Sequence, residues 1–158
     1  MRLSTRGRYG LRAMMDIAIY GAEGPVNLKE ISARQEISVD YLEQLLRRLR
    51  TAGLVRSVRG PHGGFALAKP SEKVHVWEIL AALEPDIAPV FCVDEKLLAR
   101  VPKKRCKRMS RCATHLLWLG LAEQMRAYLQ SRSLHDLVES SARICNESTP
   151  GEPVTFQI

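Results

Sequence analysis

The stretch from Ser38 to Lys69 reads SVDYLEQLLRRLRTAGLVRSVRGPHGGFALAK, and it holds the two parts of the chain that decide the fold. Its first half repeats apolar residues at intervals of three and four, at Val39, Leu42, Leu45, Leu46 and Leu49. This spacing predicts an amphipathic helix. Ser38 stands where an N-cap is expected, and Gly53 follows the last turn as a stop signal.

The other face of this helix carries side chains that can bond base edges and phosphates. With Ser38 at the helix start, they are Asp40, Tyr41, Glu43, Gln44, Arg47 and Arg48. Two short alternating runs follow, 54–58 and 65–68, and they predict a β-hairpin. Its turn presents Arg59, Gly60, Pro61 and His62. A polar-faced helix followed by such a hairpin predicts a winged helix-turn-helix, with the helix in a DNA major groove and the wing in the adjacent minor groove.

The flanking segments supply three further predicted helices. The first runs from Thr5, as a possible cap, to Gly21 and buries Ala13, Met14, Ile17 and Ala18. A short second helix spans 28–36 and completes the helix-turn-helix. Another spans 76–83 and ends before Pro85, with a buried stripe of Val76, Ile79, Leu80 and Leu83. The predicted class is therefore mainly α with a small β-hairpin wing.

The positive charge of the chain is concentrated beside these helices. The net charge is +7, and residues 1–73 hold 13 Lys/Arg against 7 Asp/Glu, whereas residues 112–158 hold 3 against 5. Arg2 and three more arginines crowd the start of the first helix, where cations are unfavourable unless an anion such as phosphate offsets them. Double-stranded DNA is the partner that this distribution predicts, although a solvated basic end is the alternative at the N-terminus.

Length and composition indicate one globular domain with an appended dimerisation element. The chain has 158 residues, of which 46% are hydrophobic and 26% charged. Its apolar runs are shorter than the roughly 20 residues of a membrane span, and its N-terminus lacks the pattern of a signal peptide. A cytoplasmic protein without membrane contact is expected.

Periodicity fails between Pro85 and Arg111, where a turn of helix at 94–100 is the one possible element, and loops of this length are usually functional or disordered. Cys92, Cys106, Cys112 and, one helical turn later, His115 supply three thiolates and one imidazole. Such a set closes a tetrahedral zinc site or ligates an iron–sulfur cluster, and the spacing does not choose between them. The basic residues nearby stabilise thiolates. Cys145 lies outside this group and receives no role.

Residues 113–131 form the longest predicted helix. Trp118, Leu121, Met125 and Tyr128 give it an apolar stripe, which Leu117, Ala122 and Leu129 widen. So wide a stripe predicts pairing with a second copy, and a homodimer suits two DNA half-sites about one turn apart. The predicted organisation is a DNA-binding domain (1–84), a cysteine-bearing sensor loop (85–112), a dimerisation helix with a last short helix (113–145) and a flexible tail (146–158).

Over about residues 1–140 the chain resembles the IscR/NsrR type of winged-helix transcription regulators, the Rrf family. The resemblance rests on MRLSTRGRYGLRAM, on ISVDYLEQLLRRLRTAGLVRSVRGPHGGFAL and on CATHLLW, whose Cys-x-x-His is most similar to the IscR branch. It implies homodimers on near-palindromic promoter sites. It also implies a [2Fe–2S] cluster, in preference to [4Fe–4S], held by Cys92, Cys106, Cys112 and His115. Glu43 would select sites, and Arg59 would enter the minor groove.

One departure from the family pattern lies in the sensor loop. The pattern has about five residues between the first two cysteines, whereas thirteen separate Cys92 from Cys106 here. The expected function is a repressor that senses iron–sulfur cluster, iron, redox or nitric oxide status. The alternative is the same fold controlled by zinc, a thiol switch or a protein partner. An enzyme is not expected, because the sequence has no Cys-x-x-Cys and no phosphate-binding glycine loop.

Overall fold

The computed structural model describes residues 4–84, 87–102 and 106–147. Within them the chain is mainly helical with one antiparallel hairpin, which confirms the predicted class. The elements are α1 (Thr5–Tyr20), α2 (Leu28–Gln35), α3 (Val39–Thr51), β1 (Val55–Val58), β2 (Gly64–Leu67), α4 (Val76–Leu83), α5 (Glu95–Arg100), α6 (Ala113–Ser131) and α7 (Leu134–Glu147). None of the helices so described is long and apolar enough to cross a membrane.

The core lies where the predicted stripes of α1, α3 and α4 meet. Leu42, Leu45, Leu46 and Leu49 of α3 are all buried, as predicted. The predicted stripes of α1 and α4 are buried too, except that Ala18 is only partly so. Each buried aliphatic side chain contributes about 1.5–3 kcal/mol by leaving water. The apolar spacing therefore fixed which face of each helix packs inward.

The wing is tied to the rest of the domain by main-chain hydrogen bonds. β1 pairs with β2 from Val55 opposite Leu67 to Val58 opposite Gly64. The residues Val26 and Phe65 exchange two N–H···O bonds of 2.8 Å, so the segment before α2 acts as a third, one-residue strand. A side chain at Gly64 would collide with the Val26 carbonyl, which explains the glycine. The hairpin is thus joined to the segment before α2 at Phe65, close to its turn.

The C-terminal helix returns to the DNA-binding domain. Leu134 is fully buried in the core, and its N–H donates to the Val74 carbonyl at 2.7 Å. Ser133 and Asp136 form a reciprocal capping pair, because each side chain accepts the other's backbone N–H. α7 was expected to be short, yet it continues to Glu147, two residues into the predicted tail. Residues 148–158 lie outside the described part of the chain.

Two helix ends differ from prediction for local reasons. The N-cap of α1 is Ser4 rather than Thr5, since the Ser4 hydroxyl accepts the Arg6 N–H. α2 ends at Gln35, because Glu36 adopts a left-handed conformation with φ 53°. A glutamate in that region is uncommon, and sequence spacing gives no sign of it.

The apolar stripe predicted along α6 is divided between two faces. Trp118, Ala122, Met125 and Leu129 are half-buried, and α6 packs on α4 and on the turn Phe91–Val93. Leu117, Leu121 and Tyr128, by contrast, are exposed, together with Leu116. At 100° per residue the seven predicted residues share one arc of about 140°, and the centres of the half-buried and exposed sets lie about 90° apart within it. α6 therefore packs within the chain on one side and leaves an apolar face uncovered on the other.

Candidate nucleic-acid interface and sensor loop

The predicted reading face of α3 is a continuous exposed surface. Asp40, Glu43, Gln44, Arg47 and Arg48 line one shallow groove. Glu43 and Arg47 form an exposed ion pair of 3.5 Å, a kind of pair that contributes little to stability and leaves both groups available to DNA. Ser38 is exposed at the N-cap position, although its hydroxyl caps no amide among the described residues.

Tyr41 differs from its neighbours because it is half-buried. Its ring meets that of Tyr9 edge to face, with 6.2 Å between centroids and 84° between planes. The Arg12 guanidinium lies 5.5 Å from the Tyr9 ring centroid. Tyr41 therefore joins the recognition helix to α1, and base contact by its hydroxyl stays a prediction.

A buried carboxylate joins the first two helices. Asp16 accepts two hydrogen bonds from Arg34, at 3.0 and 2.8 Å, and one of 2.9 Å from Gln35. This bonding raises the pKa of Arg34 further above its usual value, and the Asp16 hydrogen bond is the largest cause. Gln35 in turn accepts from Arg12 through its side-chain and backbone oxygens. The network fixes α2 against α1 and thereby sets the position of the helix-turn-helix.

The wing presents its four predicted residues at its tip. Arg59, Gly60, Pro61 and His62 are exposed, and Gly60 has φ 126°, which favours glycine. The N–H of Gly63 donates to the Gly60 carbonyl at 2.9 Å and closes the turn. An exposed arginine on a closed turn suits insertion into a minor groove. Arg2, the remaining predicted DNA contact, lies outside the described residues.

The start of α1 is held by a carboxylate from the end of α4. Glu84 accepts hydrogen bonds from the Ser4 N–H, the Ser4 hydroxyl and the Gly7 N–H. A negative charge at a helix N-terminus is stabilising, and Gly7 leaves the space that the carboxylate occupies. Glu84 is the last described residue before the sensor loop, so the loop begins at this contact.

The predicted cluster ligands occupy three separate pieces of the sensor region. Cys92 lies in the turn Phe91–Val93 and is half-buried, Cys106 is exposed, and Cys112 is the N-cap of α6. All are free thiols. The described residues contain no assembled group of three metal-ligating side chains, so the structure brings only Cys112 and His115 close along the chain.

Cys112 and His115 form the best-defined part of this region. The Cys112 sulfur lies 3.1 Å from the Thr114 hydroxyl, and this contact is the main reason why the thiol pKa falls below its usual value. The backbone N–H groups of His115 and Thr114 and the charge of Arg108 lower it further. The His115 Nδ1 is buried without a hydrogen-bond partner among the described residues. A thiolate-prone cysteine beside an unsatisfied imidazole nitrogen fits a metal-ligand pair.

Replacing Thr114 with valine should raise the pKa of Cys112, because the hydroxyl that stabilises its thiolate is lost. Less thiolate would then be present at a given pH, so alkylation would reach half its limiting rate at a higher pH. Iodoacetamide kinetics on metal-free protein measure this, with Cys92, Cys106 and Cys145 changed to serine. Thr114→Ser keeps the hydroxyl and serves as the control. An unchanged profile for Thr114→Val would contradict the assignment.

Sequence reasoning missed Asp16 and Glu84, whose carboxylates join the helices that carry the reading surface. Asp16 interrupts the apolar run AMMDIAIY of α1, and a charged residue inside a buried stripe is a signal for a paired carboxylate. Glu84 carried no such signal, because it follows the last turn of its helix and its partners lie 77 and 80 residues away.

A helix-turn-helix with an exposed polar reading face, a hairpin wing and a separate long helix defines a winged-helix DNA-binding protein. The sequence model of the Rrf2 family, described as "Iron-dependent Transcriptional regulator", matches residues 3–140. The chain therefore belongs to the Rrf2 family, as the resemblance implied.

Comparison with named relatives shows which members of the Rrf2 family the chain is similar to. The chain is 43% identical over 140 residues to the HTH-type transcriptional regulator IscR of Xenorhabdus nematophila, covering 89% of this chain and 80% of the relative. The solved structure of T. potens IscR matches with a TM-score of 0.72, 33% identity and coverage of 96% and 94%. The solved structure of CymR (YrzC), the global cysteine regulator of B. subtilis, matches with a TM-score of 0.69 and 34% identity. The match covers 89% of this chain and 98% of CymR. The chain is an IscR-type transcription regulator and not an enzyme.

Proposed function

We propose that this regulator acts as a cytoplasmic homodimer on near-palindromic promoter DNA, mainly as a repressor, and that an iron–sulfur cluster in the sensor loop sets its activity. Cys92, Cys106, Cys112 and His115 would hold the cluster, with [2Fe–2S] preferred to [4Fe–4S]. Such a cluster supplies sensitivity to iron supply, redox state and nitric oxide. The same four residues would also accept zinc, which is the principal alternative metal.

The observation that carries this proposal is the pairing of Cys112 and His115 at the start of α6. A buried imidazole nitrogen without a partner costs about 1–3 kcal/mol, and a metal ligand bond would remove that cost. Val93 follows Cys92 in the same turn, and it lines one cavity together with Leu119 of α6. The turn that carries Cys92 therefore adjoins the helix that begins beside Cys112.

The dimer is supported by the uncovered face of α6. Leu116 is 70% exposed, Leu117 64% and Tyr128 59%, and contiguous exposed apolar residues of this kind mark interaction sites. Gly120 lies among them, with no atom of the described chain near the position of its missing Cβ. Close approach of a second helix is therefore possible there, and a two-fold pairing would present two reading faces to two half-sites.

Replacing Cys112 with serine should abolish the visible absorption between about 320 and 600 nm and the bound iron, because one ligand is lost. Cys145→Ser is the matched control, since Cys145 is a half-buried thiol of α7 outside the sensor loop. Absorption, iron and sulfide are measured on protein purified without oxygen. A Cys112→Ser protein with the same spectrum as the control would refute the ligand assignment.

One observation favours the alternative of a thiol switch. The lowered pKa of Cys112 also favours oxidation, because the thiolate is the reactive form. Protein that carried zinc, or no metal after attempted reconstitution, would support this second function. Mass spectrometry after mild peroxide treatment would then show whether Cys112 is the residue oxidised.

A further inference from the structure

α5 is a short helix within the sensor loop. It spans Glu95–Arg100 and lies wholly between Cys92 and Cys106. Thirteen residues separate these cysteines, whereas the resemblance implies about five. Asp94 caps α5 by accepting the Leu97 N–H at 2.8 Å. The extra residues therefore form a defined element whose surface requires its own explanation.

α5 points two cations into a groove that they share with the recognition helix. Lys96 and Arg100 are four residues apart, which places them on one face of α5. Together with Arg48 of α3 they line a groove of about 540 Å³ whose floor is Ala81, Ala82 and Leu83. Arg48 also lines the reading groove of α3. The basic groove is thus a continuation of the predicted DNA-reading face.

Among the described residues, none forms an ion pair with any of the three cations. No hydrogen bond or ion pair engages the side chains of Arg48, Lys96 or Arg100 within the described residues. Of the described residues that line the groove, only Glu84 is acidic, and its carboxylate already accepts three hydrogen bonds from Ser4 and Gly7 at the start of α1. Glu95 lines the neighbouring cavity beside Trp77 and Arg126, which Lys96 and Glu84 also border, and it forms no ion pair with Lys96. Uncompensated like charges around one groove favour an anion there.

We propose that α5 extends the DNA-binding surface, with Lys96 and Arg100 contacting the phosphate backbone beside the bases read by α3. This rests on the DNA-binding function and adds a contact made by the sensor loop itself. Because phosphates carry no sequence information, the contact supplies affinity without choosing the site. A change in the conformation of the sensor loop would therefore alter the affinity for DNA directly, through these two contacts.

The test measures the affinity of the full chain for duplex DNA over a range of salt concentrations. Lys96→Gln/Arg100→Gln is compared with wild type and with Lys73→Gln/Arg143→Gln, which removes two exposed cations elsewhere. Two DNA probes are used. One is a pool of duplexes of random sequence, and the other is a single duplex that the wild-type protein selects from that pool. Each protein is titrated as purified without oxygen and again after iron removal, so that a change in iron content cannot account for a difference.

Loss of two phosphate contacts in each subunit should make the slope of log affinity against log salt shallower by about 3.6 for the bound dimer, at about 0.9 per contact. Affinity should fall by about tenfold or more on both duplexes alike, while the control variant keeps the wild-type slope. A slope equal to that of wild type, or a loss confined to the selected duplex, would overturn the proposal. If wild-type protein bound neither duplex, the proposed function would fail as well.

Discussion

The Asp16→Ala variant is expected to lose about 3 kcal/mol of unfolding free energy, because one partner of a buried ion pair is removed. The Asp16 side chain is fully buried, whereas that of Arg34 is 29% exposed. Without the carboxylate, Arg34 loses two hydrogen bonds and Gln35 loses one. Partial exposure lets water reach Arg34, so the expected loss lies at the low end of the range for buried pairs.

Urea denaturation followed by circular dichroism measures this change, and Glu30→Ala is its control. Glu30 also faces Arg34, at 3.8 Å, but its side chain is 62% exposed. Exposed pairs four residues apart contribute about 0.3–0.5 kcal/mol, so the control should be nearly neutral. Equal losses in the two variants would mean that Asp16 does not act as the anchor between α1 and α2.

The Leu117→Glu variant is expected to be a folded monomer that binds promoter DNA about 10²–10⁴-fold more weakly. Leu117 is exposed in the single chain, so a glutamate there disturbs no internal packing. In a two-fold dimer built on this face, however, two charges would be buried close together. DNA affinity falls because a dimer links two DNA-binding domains. Once one domain is bound, the other binds its half-site at a high effective concentration, and a monomer lacks this advantage.

Sedimentation velocity gives the oligomeric state, and fluorescence anisotropy gives the affinity for a duplex selected by wild-type protein. Gln130→Glu adds the same charge to another exposed side of α6, and it should remain dimeric. A dimeric Leu117→Glu protein would place the dimer interface elsewhere. A monomeric variant with undiminished affinity would show that one reading head suffices.

Local sequence patterns predicted most of the fold. Apolar spacing located the buried faces of α1, α3 and α4, because each helix has a single core to face. The hairpin followed from two alternating runs around Gly60 and Pro61, since their backbone preferences require a turn. The same reasoning located the exposed reading face of α3, because polar residues opposite a buried stripe must face outward.

Contacts between distant segments could not be read from local patterns. α6 meets the chain on one side only, and spacing alone merged its packed face with its uncovered face. Glu84 reaches Ser4 across 80 positions, a pairing with no periodic signature. The four predicted ligands come from three segments, and only Cys112 and His115 are positioned by a shared helix start. Their common role as ligands therefore remains a prediction.

The contact of Glu84 with the start of α1 makes two amides natural reporters of the sensor loop. The N–H groups of Ser4 and Gly7 are protected from solvent only while this carboxylate stays in place. Any rearrangement of the loop that pulls on its first residue would expose them before the core opens. Their hydrogen exchange would then quicken in step with sensing, while the amides of buried α3 would stay slow. The exchange rates of these two N-terminal amides would thus report on a loop that begins just beyond Glu84, 77 to 80 residues further along the chain.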